Sequence, residues 1–453
     1  MLAQRLIWFV SLWPYIYIIQ KIRCKKDINA FDLLLVFHCL YFAFLPLISD
    51  KKDFSYGQDV YSLQTTIASM IFFNLFTTII VYIDKWWTKK KSNRSSILNI
   101  SKYLRDLNGS FSYDRRIIFL FYCLLLVLSI WNQVSGEFMF QMADVAVKYN
   151  DPKMMLFGEL VGSLRIPMSA LLSLTLLKKG KISKFSIFDW VALILFIFYI
   201  LAISRTWQVE IFLTFLLCLY SVRRNKFNKS LYIKICAAVL FLYFVIFPFK
   251  SFYRIASGNA RAEGKISYAL LDFDAISNAM DNDYEIVDNK SDRQLYLYCT
   301  YAKCIDVAPI QWGSLTLKSM SYCLPSAIFP WKSPTGSEEA IERLSTLNED
   351  VADSAILHAY VDFGVLCPFI AALIFLSILF IWDAYHKYVN HKIHDILISL
   401  FFFNHVIVYC VRIETGVDLY LSTLIHSILL LIIYWLIIKA TYISFKYKSF
   451  FSY

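Results

Sequence analysis

LHAYVDFGVLCPFIAALIFLSILFI, residues 357–381, is the stretch whose reading decides the fold. As a helix it is long enough to cross about 30 Å of hydrocarbon. Residues 31–49, 187–204 and 231–249 are runs of the same kind. Inside a bilayer only helices or closed barrels satisfy their own backbone, and these runs lack the in–out alternation of a barrel strand. The composition agrees: 58% of residues are hydrophobic and only 17% are charged, with a mean hydropathy of +0.54. Glycine and proline are scarce, at 12 and 10 residues, which excludes fibrous and disordered classes.

Reading outward, the expected architecture is an all-α, polytopic transmembrane helical bundle of about 11 spans, within a range of 10–12. The spans are placed at about 6–20, 31–49, 62–83, 117–134, 154–177, 187–203, 206–222, 231–249, 357–383, 395–411 and 419–440. The first run is short and no small-residue cleavage site follows it, so it reads as a span rather than a signal peptide. A re-entrant or interfacial helix is the alternative there.

The net charge of +11 sits in short connections, so it does not point to nucleic acid. Basic residues crowd alternate links: Lys21 to Lys26, Lys85 to Arg116, Lys178 to Lys184, and Arg223 to Lys229. The intervening links are balanced. This is the positive-inside pattern, and it implies an outer N-terminus and a cytoplasmic C-terminus, or two cytoplasmic termini and ten spans if the first segment does not cross.

It also implies three regions: a block of about eight spans at 1–249, a large periplasmic loop at 250–356, and a block of about three spans at 357–453. Within the loop, residues 296–324 are apolar enough for short amphipathic helices lying on the membrane. Of ten cysteines, Cys299, Cys304 and Cys323 share the loop, which leaves room for one disulfide in an oxidising compartment. No Cys/His spacing resembles a zinc site.

Several polar residues are candidates for chemistry. Arg205 lies in a tight link between two spans, either snorkelling to headgroups or presenting a fixed charge to an anionic lipid-linked substrate. Arg165 falls near the middle of its span and needs a cavity or a partner, with Glu159 and Glu210 the carboxylates within reach. Arg254 and Arg261 open the loop; paired guanidinium forks match pyrophosphate oxygens, and a solvated basic stretch is the plainer reading. His358 stands where the chain re-enters the membrane and is a candidate proton acceptor, with Asp353 or Asp362 as substitutes. Asn404, His405 and His426 read as interhelical hydrogen-bonding groups.

With these residues in place, the chain resembles the Wzy-type O-antigen polymerases, the oligosaccharide repeat-unit polymerases related to the O-antigen ligases. The likeness rests on Ser204-Arg205-Thr206, on Gly313-Ser314-Leu315 with the segment from Leu324 to Pro334, and on Asp353 to Tyr360 followed by Asp362-Phe363-Gly364. The plan of ten to twelve spans with a large late loop covers nearly the whole chain.

The resemblance implies a membrane glycosyltransferase that uses neither cofactor nor metal. The growing glycan on undecaprenyl pyrophosphate would pass to a sugar hydroxyl of an incoming lipid-linked repeat unit. It further implies a pyrophosphate clamp of Arg205, Arg254, Arg261 and Arg165, catalysis by His358 and Asp353, and glycan contacts from Lys332, Trp331 and Tyr253. The implied partners are the undecaprenyl-pyrophosphate-linked oligosaccharide and membrane lipid, with a polysaccharide chain-length regulator as a candidate. The implied location is the bacterial inner membrane. A ligase transferring glycan to lipid A-core, or a flippase for the same lipid-linked sugar, remains the alternative.

Overall fold

The computed structural model describes residues 2–48, 62–91, 96–110, 152–180, 182–202, 205–224, 296–323, 353–393, 396–413, 415–418 and 420–424, with five isolated positions between and beyond them. The described residues are helical, with no strand among them. Two compact units can be distinguished, one formed by Met1–Asn99 with Gln294–Tyr453 and the other by Ile100–Arg293.

The first unit begins with α1 (Leu2–Val10) and α2 (Trp13–Arg23), which read as one apolar span with a turn at Ser11 and Leu12. Pro14 sits in the first turn of α2, where its missing N–H costs nothing. Next, α3 (Ala30–Cys39) starts with a capping box: Asn29 accepts from the Asp32 N–H, and Asp32 accepts from the Asn29 N–H. The helix passes into a π-helical turn, Leu40–Phe44, before α4 (Leu45–Ile48). Pro46 explains that turn, because it cannot donate and its ring crowds the carbonyl four residues earlier. The long α5 (Leu63–Lys91) follows.

Hydrogen bonds set the directions of these helices. Tyr15 Oη donates to Val36 O at 3.2 Å, so α2 and α3 are antiparallel. Trp13 Nε1 donates to Asn74 Oδ1 at 2.9 Å and Tyr17 Oη to Asp84 Oδ2 at 2.5 Å, so α5 runs alongside α2. Where the three meet, Lys21 Nζ lies 2.7 Å from Asp32 Oδ2 and 2.8 Å from Asp84 Oδ2, all three side chains buried. Asn29 Nδ2 and Thr88 Oγ1 donate to Asp84 Oδ1. Lys21, which reads as part of an exposed basic cluster in the sequence, is an internal group.

The second half of this unit contains α10 (Tyr296–Val307), α11 (Ser314–Tyr322), α12 (Ala355–Phe363), a 3-10 turn (Gly364–Leu366), α13 (Cys367–Ile393) and α14 (Ile396–Val411). Helices α6 to α9 belong to the other unit and are given below. Phe76–Phe375 and Trp87–Phe380 ring contacts lay α13 along α5. His386 Nε2 to Ser399 Oγ (2.8 Å) and the stacked Trp382–His405 rings (4.5 Å) make α14 antiparallel to α13.

The loop residues expected to form helices do so, but α10 is built into the bundle rather than laid over it. Trp8 Nε1 donates to Tyr298 Oη at 3.2 Å, and Ser69 Oγ lies 3.0 Å from the same oxygen. Thr65 Oγ1 donates to Asp306 Oδ1 at 2.5 Å. The Tyr301 ring meets Phe42 and Tyr360 edge-on. These contacts seat α10 at the end of the bundle opposite Lys21, Asp84 and the basic residues beyond them. Cys299, Cys304 and Cys323 are buried, and burial pushes the Cys304 thiol up to about 12.

In the other unit, α6 (Ile100–Ser110), α7 (Pro152–Lys179), α8 (Ile187–Ala202) and α9 (Arg205–Arg223) are present, with α9 packed on α7 and α6. Asp189 accepts from Ser186 N (2.6 Å) and Ser186 Oγ (2.7 Å) at the start of α8 and pairs with Lys179.

Four helical stretches are long and apolar enough to cross a membrane: Leu2–Arg23, Ala30–Ile48, Leu63–Lys89 and Ala355–Val389. The described residues of the runs expected at 154–177, 187–203, 206–222 and 395–411 are helical as well. Those at 117–134 and 231–249 lie outside the described residues, as does most of 419–440.

Removing Lys21 leaves Asp32 and Asp84 buried without their cation. Lys21→Met is expected to cost about 3–5 kcal/mol, read as a lower midpoint of thermal unfolding in detergent. Adding Asp32→Asn to it should recover part of the loss. An unchanged midpoint would show that the cluster does not hold these helices.

Candidate functional site

The site is organised by a tight turn. Trp312 (φ 52°) and Gly313 (φ 86°, ψ −1°) are both left-handed, and Ser314 N donates to Gln311 O at 3.1 Å. This is a type I′ turn, which favours Gly or Asn, so tryptophan at its first central position is a strained choice. The side chain of Trp312 is 79% exposed. Gln311 N also donates to Val361 O at 2.8 Å, which fixes the turn against the end of α12.

The turn delivers the first N–H groups of α11 to Asp362. Its Oδ1 accepts from Leu315 N at 2.9 Å, and its Oδ2 accepts from Thr316 N at 2.6 Å and from Thr316 Oγ1 at 2.5 Å. A carboxylate on orphan amide donors at a helix start is favoured by their direction and by the helix dipole. Here the carboxylate comes from another helix, so it joins α11 to α12.

His358 lies one turn before Asp362 on α12. Its Nε2 is 3.1 Å from Thr316 Oγ1 and 3.8 Å from Asp362 Oδ2. His358 and Asp362 are both 0% exposed, and His358 Nδ1 is buried without a hydrogen-bond partner among the described residues. Ser354 starts α12 by accepting from Leu357 N. Gly364 ends it at φ +55°, where a Cβ would stand 2.7 Å from Ile310 Cδ1, so both conformation and space call for glycine. Cys323 Sγ donates to Asp418 O at 2.8 Å, tying the far end of α11 to the segment after α14.

The expected site residues divide as follows. Asp353 is buried just ahead of α12, with Oδ1 accepting from Ser354 N at 2.6 Å. The carboxylate beside His358 is Asp362. Trp331 is 77% exposed. Arg254, Arg261, Tyr253 and Lys332 lie outside the described residues. Arg205 is the first residue of α9.

Arg165 is buried on α7 and its partner is Glu210 of α9. Both Nε and Nη2 lie 2.5 Å from Glu210 Oε2, and the guanidinium carbon stands 4.5 Å from the centre of the Trp207 ring. Glu210 therefore offsets its charge, which weakens the expectation that Arg165 serves a pyrophosphate.

Thr316 has no signal in the sequence, being 42 positions from the histidine it touches. His358 and Asp362, read from the sequence as alternatives for one role, are four apart on α12 and share one face of it. Among the described residues no group of three His, Cys, Asp or Glu side chains is placed to hold a metal ion. No protein-family model, no curated protein and no solved structure matches the chain.

Arg165→Ala would strand Glu210 in a buried setting, at a cost of about 3–5 kcal/mol. The paired change Arg165→Met with Glu210→Gln should regain most of that, because no charge is left unpaired. Unfolding midpoints of the purified variants in detergent check this, and equal losses for single and double variants would refute the pair.

Proposed function

We propose that the chain is a polymerase of lipid-linked glycan repeat units, acting at the outer face of a bacterial inner membrane. In this reading eleven spans cross the bilayer and residues 250–356 form a periplasmic loop. The observation that carries it is the buried His358–Thr316–Asp362 cluster, formed where a loop helix meets the first turns of a span. The basic residues at the other end of that unit, among them Arg23, Lys25, Lys26, Lys85 and Lys89, support a cytoplasmic face there.

The reaction needs a base for the attacking sugar hydroxyl and positive charge for the departing pyrophosphate. His358 is the base. The acceptor oxygen bonds to the anomeric carbon of the growing glycan, and undecaprenyl pyrophosphate leaves with the electron pair of the broken bond. Arg205, Arg254 and Arg261 neutralise the leaving group, while Arg165, held by Glu210, stiffens α7 against α9. Trp331, Lys332 and Tyr253 contact the glycan.

The experiment is complementation of a strain lacking the gene, with glycan resolved on a gel and protein amount followed by immunoblot. Arg205→Ala, Arg254→Ala and His358→Gln should abolish the long-chain ladder and leave core capped by one repeat unit. Core with no unit attached would indicate a ligase, and units held inside the cell a flippase. Normal ladders from the arginine variants would overturn the clamp.

A further inference from the structure

The hydrogen-bond directions around His358 follow from what each group is able to donate. Asp362 receives two backbone N–H groups and one hydroxyl, a set of donors that suits an ionised carboxylate. An ionised carboxylate only accepts, so the Thr316 hydroxyl hydrogen points to Asp362 at 2.5 Å. The threonine oxygen then has only lone pairs for His358, and the nitrogen 3.1 Å away must carry the proton. That nitrogen is Nε2. In the neutral ring Nδ1 is left as an acceptor, and Nδ1 is the buried ring nitrogen that finds no donor among the described residues.

We infer that Thr316 and Asp362 are positioning residues that hold His358 in its Nε2–H form and present Nδ1 as the proton acceptor. This rests on the polymerase reading of the site. Nδ1 takes the proton as the hydroxyl oxygen forms its bond to the anomeric carbon and the bond to undecaprenyl pyrophosphate breaks. The imidazolium then faces Asp362 through Thr316, with Asp418 as a second acidic charge that acts on it, and the proton passes on to water.

Because Thr316 is carried by the loop helix and His358 by the span, the base is complete only with α11 docked. Gln311 N on Val361 O and the two amides on Asp362 are the contacts that dock it. The left-handed Trp312–Gly313 turn aims those amides.

The test uses full-length protein in nanodiscs, with histidine labelled with nitrogen-15 and the His358 signals assigned by difference from His358→Gln. The wild type should show a protonated Nε2 and a bare Nδ1. Thr316→Val should mix the two forms and lower long-chain glycan per molecule of protein about tenfold or more. Asp362→Asn should lower it about 100-fold, within the usual range for a base and its support. Thr316→Ser, which keeps the hydroxyl, should restore both readouts. A wild-type proton on Nδ1 would overturn the assignment. So would a normal ladder from Thr316→Val and Asp362→Asn alongside its loss in His358→Gln, since the cluster would then only clamp the helix. A ladder that survives His358→Gln would instead remove the polymerase base, while the nitrogen signals would still judge the tautomer. Should Thr316→Val accumulate poorly, Asp362→Asn and Thr316→Ser carry the comparison.

Discussion

The ammonium of Lys21, held between Asp32 and Asp84, is the interaction on which the first unit depends. Three buried charges cannot remain in an apolar bundle unless each meets its partner at short range, so the relative heights of α2, α3 and α5 follow from this contact. Tyr17, Asn29 and Thr88 supply further donors to Asp84. With one end so ordered, the opposite ends of α1, the π-helical turn and α5 form the seat for α10. The loop helices and His358 are positioned from there.

The buried polar clusters described above differ chemically. The Lys21 cluster and the Arg165–Glu210 pair place opposite charges in contact, which holds helices but leaves little charge to offer a substrate. At His358 the carboxylate is occupied by amides and a hydroxyl, and one ring nitrogen keeps a free lone pair. Hydrogen bonds without full compensation are costly in a closed interior and are the feature to look for where function resides.

The helices were legible because hydrocarbon leaves the backbone few choices. The expected run 31–49 is the helical stretch Ala30–Ile48, and the expected 395–411 is Ile396–Val411. The site was legible only in part. His358 and Asp362 were both marked as candidate proton acceptors, as alternatives rather than as a pair, whereas Thr316 comes from another helix and no local pattern marks it. Lys21 misled because it follows an apolar run beside three other basic residues, and only the fold brings Asp84 to it. Residues 296–307 suggested a surface helix, since Tyr298, Tyr301 and Asp306 look amphipathic until Trp8, Ser69 and Thr65 supply their partners. For Arg165 the sequence offered two carboxylates; the geometry selects Glu210.

The seat of α10 bears on how such a protein is made. The tyrosine that Trp8 donates to is synthesised 290 positions after it. At about 5–20 residues per second that interval lasts roughly 15–60 s. Through it, Trp8 of α1 and Ser69 of α5 lack the hydroxyl that both later meet on α10. The late helix acts as a keystone: it joins the ends of α1 and α5, and α12, made after it, packs on it.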